Sequence, residues 1–168
     1  MRAFLTISCF SLWATSLMAM NTFVDKSDNA PFPRTPNTTE TPGKLCSSPS
    51  SIRYPEKIPY CERNVDVYMK QDVIKKYDQD LGYRIETMSR SEFKIDHLIP
   101  LCAGGANHQD NLWPQHKSVY AITDPVEPLI CLKMQQGKLL QKDAIALVIY
   151  AKTHLSEIPS VLAKLNAL

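Results

Sequence analysis

Residues 93–115 read Phe-Lys-Ile-Asp-His-Leu-Ile-Pro-Leu-Cys-Ala-Gly-Gly-Ala-Asn-His-Gln-Asp-Asn-Leu-Trp-Pro-Gln, and no other stretch of the chain restricts the fold as tightly. Phe93 to His97 forms an apolar strand that closes on the pair Asp96-His97. Pro100 and the Gly104-Gly105 pair then break it. Asn111, fourteen positions after His97, opens a second short strand over 111–113. Adjacent side chains on a strand point to opposite faces, so Asp96 and His97 can share one site only where the strand ends or bends. The Pro and Gly-Gly turn supplies that break.

This order of Asp-His, Pro, Gly-Gly and Asn-Leu-Trp-Pro resembles the core of the HNH (His-Me finger) nucleases. Small exported bacterial HNH proteins have a similar run, with a Tyr-Cys-x-Arg-like segment and a helix ahead of it and another helix after it. The corresponding pieces here are Tyr60-Cys61-Glu62-Arg63, residues 96–105, residues 111–114 and residues 124–139. The resemblance covers about residues 60–150. It implies an α+β fold built on a ββα-metal core with flanking helices, stabilised by disulfides.

The resemblance also implies roles that suit the residue types. Phosphodiester hydrolysis needs an attacking water, a base to take its proton, and positive charge on the phosphoryl and leaving oxygens. His97 is expected as the general base, since an imidazole titrates near neutral pH. Asp96 is expected to ligate a divalent cation, Mg²⁺ first, with Mn²⁺ or Zn²⁺ as alternatives. Asn111 is expected to orient the base by tying the loop between the strands to His97, without touching metal. The family's third position falls near Val119 or Tyr120, neither of which is a ligand, so His116 is the expected second metal residue. Asp124 and Glu127 are further candidates, although Asp124-Pro125-Val126-Glu127 also fits a helix N-cap, a Pro at the first helical position and a capping-box Glu. Lys94 and Lys117 are expected to position the nucleic-acid backbone. His108 and His154 read as surface residues.

Met1-Arg2 followed by an apolar run to Met18, with Ala19 at a plausible cleavage point, reads as a signal peptide over residues 1–19. The run is too short and too near the start for a permanent span. An exported protein, periplasmic or secreted and without stable membrane association, is expected. Removing the signal leaves Cys46, Cys61, Cys102 and Cys131, an even set suited to an oxidising compartment. Three pairings are open. Cys46–Cys61 with Cys102–Cys131 is favoured, because the second bond would clamp the loop after the active-site strand onto the next helix.

Residues 20–45 hold Pro31, Pro33, Pro36 and Pro42 among polar residues and read as a disordered linker. The nuclease-like domain is expected over 46–168, starting with an extended segment to Tyr60. Helices are expected over 65–78 with Asn64 as cap, over 125–136 closed by Gly137, over 144–154 and over 158–165.

Charge limits the partner. The chain is formally +2, and losing Arg2 with the signal leaves +1, so there is no overall basic field. A local patch could come from Lys70, Lys75, Lys76, Arg84, Arg90, Lys94 and Lys117. A metal-dependent endonuclease for DNA or RNA with little sequence selectivity fits this balance. Two other classes stay open: a weak or inactive binding or structural module, favoured by the missing third position, and a secreted toxin that would need a cognate inhibitor protein.

Overall fold

The computed structural model describes residues 30–168; the expected signal peptide and residues 20–29 lie outside them. Among the described residues the fold is mixed α and β, with two small antiparallel sheets, five α-helices and two disulfides. No helix among them is long and apolar enough to cross a membrane.

The chain first makes a hairpin of β1 (Ser51–Arg53) and β2 (Ile58–Tyr60), where a merely extended segment was expected. Its turn places Tyr54 and Lys57 at positive φ, without the Asn-Gly signal that announces such turns. Helix α1 (Val67–Leu81) starts later than expected because Asp66, not Asn64, accepts from the Met69 amide at 2.8 Å. Strands β3 (Phe93–His97) and β4 (Leu112–His116) pair with Phe93 opposite His116 and His97 opposite Leu112. Pro114 is tolerated inside β4 because a two-stranded sheet leaves each strand one free edge.

Helix α2 (Lys117–Thr123) follows directly, then α3 (Val126–Gln135), α4 (Gln141–Thr153) and α5 (Ile158–Ala167). Two apolar clusters result. Val73, Ile74 and Tyr77 of α1 pack with Phe93, Ile95, Leu112 and Trp113 of the hairpin. Ile130, Val148, Val161 and Leu165 unite α3, α4 and α5, with Ile99 and Ala103 of the loop after β3 inserted among them. β3 therefore packs on one core while the loop after it enters the other, which fixes the end of the strand.

Residues 30–45 correct the linker expectation. Thr41 is fully buried, its hydroxyl 2.8 Å from the Tyr77 hydroxyl and donating to the Leu112 carbonyl at 3.1 Å. Phe32 stacks on His116 at 3.9 Å between ring centroids, and the Gly43 and Cys46 amides donate to Asp110 and Gly104 at 2.8 Å. Composition measures what a segment can bury by itself. This one uses a core already built by α1 and the hairpin, and its prolines lower the entropy it loses on docking.

Both favoured disulfides are present: Cys46–Cys61 spans 15 residues, and Cys102–Cys131 spans 29 and ties the loop after β3 to α3. Replacing Cys102 and Cys131 by alanine is expected to lower unfolding free energy by about 3 kcal/mol. Chemical denaturation of the double variant beside the oxidised parent measures this.

Candidate active site

Strand β3 stops at His97, so the Asp96 and His97 side chains both reach one cleft of about 250 Å³. Arg53, Tyr60, Arg63, Glu127 and the Cys102–Cys131 bond complete its wall. The loop behind it is held by Asn111, which is fully buried. Its Oδ1 accepts from the Ile99 amide at 2.9 Å, and its Nδ2 donates to the Ile99 and Ala106 carbonyls at 3.0 Å. Gly105 leaves room for this: a Cβ there would collide with the Ile99 carbonyl. Asn111 thus ties down the loop, but its side chain bonds to Ile99 and Ala106 and not to the His97 imidazole, so the expected link to the base is not made. Asn111→Ala leaves these buried backbone groups unpaired and is expected to cost about 2–3 kcal/mol in denaturant unfolding.

Two other residues orient His97. Arg63 Nη1 lies 3.1 Å from His97 Nδ1, while Arg63 Nη2 donates to the Ile95 carbonyl at 3.0 Å. A guanidinium can only donate, so Nδ1 must accept and carry the lone pair. The ring proton is then on Nε2, which donates to Asn107 Oδ1 at 3.0 Å. Asn107 Nδ2 in turn donates to the Glu62 carbonyl at 2.7 Å, which fixes its amide the right way round. Burial first, with the Arg63 and Lys152 charges adding to it against Asn107 and Asp96, lowers the His97 pKa from 6.5 to about 4. The imidazole is neutral at ordinary pH, with its lone pair on the nitrogen beside Arg63.

Behind the cleft lies Lys152 of α4, with only 1% of its surface exposed. Its ammonium donates to Asp96 Oδ2 at 2.7 Å, Glu127 Oε1 at 2.6 Å and the His97 carbonyl at 2.5 Å. Burial pushes the Asp96 carboxyl up, but Lys152 and then Lys94 outweigh it and hold its pKa below the usual value. Burial likewise pushes Lys152 down, and the Asp96 and Glu127 charges raise it above the ordinary lysine value. The three groups form a charged cluster joining β3, α3 and α4.

The expected metal set does not fit this arrangement. His116 lies three rungs along the hairpin from Asp96, about 10 Å at strand spacing. Its imidazole Nδ1 accepts from the Ser118 amide at 3.2 Å as the cap of α2, so it is not a partner for Asp96. The oxygens that do converge, from Asp96, Glu127 and the His97 carbonyl, already surround an ammonium. Among the described residues no group of three or more His, Cys, Asp or Glu is placed to hold a metal ion.

The remaining candidates divide. Lys94 is at the site, 3.5 Å from Asp96, but its closest partner is Asp124 at 2.5 Å. Lys117 is at the far end of the hairpin, paired with Glu92 at 2.9 Å, and does not face the cleft. Neither Asp124 nor Glu127 caps the start of a helix: Asp124 is the C-terminal cap of α2, its amide donating to the Tyr120 carbonyl, and α3 begins without a side-chain cap. Arg53 is a cleft cation that no sequence motif marks; its guanidinium carbon sits 3.1 Å from the Tyr60 ring centre. Arg63 belongs to the Tyr-Cys-x-Arg-like segment, which implies no role for it; Glu127 is an expected metal candidate that instead binds Lys152, and Asn107 and Lys152 become site residues only through packing. One signal for Lys152 was available. It lies four residues after Val148 on the buried face of an apolar helix, and such a lysine needs an acidic partner. Comparisons with family models, curated proteins and solved structures return no match to this chain.

Proposed function

We propose that this protein is an exported nuclease of the HNH type that hydrolyses phosphodiester bonds of DNA or RNA with little sequence selectivity. The observation that carries this reading is His97: a neutral imidazole at a strand end, its proton fixed on Nε2 by Asn107 and its lone pair held by Arg63, which lines a cleft together with Arg53. A phosphate entering the cleft draws Arg63 off Nδ1, and Arg53 and Arg63 hold its oxygens. Nδ1 then takes a proton from a water whose oxygen bonds to phosphorus as the bond to the 3′-oxygen breaks. The leaving oxygen is protonated from solvent, and the product carries a 5′-phosphate. The β3 and β4 hairpin with the helix that follows serves as the ββα frame of this reading. Two disulfides suit an oxidising compartment, in line with export.

A second reading is a binding module on the same frame. The Arg63 contact that covers Nδ1 and the lysine-filled carboxylate cluster favour it. Incubating the oxidised protein with supercoiled plasmid and with a structured RNA, then labelling the ends, separates the two. Nicks bearing 5′-phosphates are expected. Retention of both nucleic acids without cleavage supports the module, and cleavage leaving 3′-phosphates contradicts the proposed geometry of attack.

A further inference from the structure

We propose that Lys152 is the resident cation of the Asp96 and Glu127 site, so that the protein takes no divalent ion there and works without one. The oxygens involved come from three separate places: a side chain at the end of β3, the carbonyl of the next residue, and a side chain on α3. They converge on a single point at 2.5–2.7 Å, a spacing at which hard cations and ammonium groups are both held. The occupant is covalently part of α4. Its three N–H donors meet three acceptors, so the cage is complete as it stands.

Nor can the lysine step aside. Its stem lies on the buried face of α4 with Val148 and Ala151, and solvent reaches almost none of it. A divalent ion approaching Asp96 from the cleft would meet this ammonium behind the carboxylates and Lys94 beside them, 3.5 Å from Asp96. The positive charge facing substrate therefore comes from Arg53 and Arg63, and Lys152 is a positioning residue that holds Asp96, Glu127 and the His97 backbone in place. What this says about turnover rests on the nuclease reading; what it says about metal does not.

The test is a Mn²⁺ titration of the whole oxidised protein, with free Mn²⁺ followed by its electron paramagnetic resonance signal, beside cleavage assays in excess chelator. Wild-type protein is expected to leave the added Mn²⁺ free up to about 1 mM. Lys152→Met empties the cage and is expected to take up one Mn²⁺ per chain, and adding Asp96→Asn to that variant is expected to abolish the uptake. Wild-type uptake of one Mn²⁺ that Asp96→Asn removes overturns the proposal. If Lys152→Met does not fold, the wild-type and Asp96→Asn titrations still decide it, because Asp96-dependent uptake contradicts a lysine-filled site and its absence supports one. Cleavage that survives chelator supports metal-free turnover, and cleavage restored only by added Mg²⁺, Mn²⁺ or Zn²⁺ overturns it. No cleavage under any condition is failure of the nuclease reading, and the Mn²⁺ result then still judges the cage.

Discussion

Lys152→Met is expected to lower the unfolding free energy by about 3–5 kcal/mol, because it removes the partner of two carboxylates and leaves them with an uncompensated charge. Asp96 is the more buried of the two and bears most of this penalty. The same variant combined with Asp96→Asn and Glu127→Gln is expected to recover a large part of the loss, since the remaining groups are neutral. Urea unfolding at neutral pH of the single and triple variants measures both effects. A single variant as stable as the parent would mean that the ammonium does not hold this cluster together.

Acid is expected to separate His97 from an ordinary histidine. Its folded pKa is about 4 against 6.5, so between these values the unfolded chain binds a proton that the folded protein refuses. The contribution is complete above pH 6.5, declines as pH falls toward 4 and reaches about 3 kcal/mol in all. His97→Gln is expected to flatten this part of the stability curve. The lowered Asp96 pKa adds a further loss below the usual carboxylate range, and the raised Lys152 pKa places its own loss on the alkaline side, above the ordinary lysine value. Turnover follows the same group: the base form of the free enzyme persists to about pH 4, so kcat/KM is expected to fall only below that value. A fall centred near 6.5 would mean that the imidazole titrates freely and is not held as described.

The features legible in the sequence were those written locally. Phe93 to His97 announces a strand, Gly104-Gly105 announces its break, and both are found as read. Asn111 was legible as the residue that holds the loop, because an amide has both the donor and the acceptor that this task needs. His116 and Lys117 failed for a geometric reason. They are close in sequence to Asn111, but β4 continues through Pro114 and carries them to the opposite end of the hairpin from His97. Counting residues cannot substitute for knowing the direction of a strand. Glu127 reads as a capping residue or a metal ligand because Asp124-Pro125 looks like a helix start; α3 does begin at Val126, but Asp124 closes α2 and the Glu127 side chain turns to Lys152. Arg53 reaches the cleft from a hairpin whose turn has Pro55 but no Asn-Gly or Asp-Gly pair, and its positive φ falls on Tyr54 and Lys57, so the sequence near it does not announce a hairpin.

The most direct test is cleavage of plasmid DNA and RNA by oxidised wild-type protein and by His97→Ala, at neutral pH, with each protein shown to be folded by circular dichroism. Cleavage by the wild type is expected, with a fall of about 10²–10⁴-fold in the variant, the usual loss when a general base is removed. Equal cleavage by the two folded proteins would contradict His97 as the base, and no cleavage by the wild type would shift the reading to a nucleic-acid-binding or structural module.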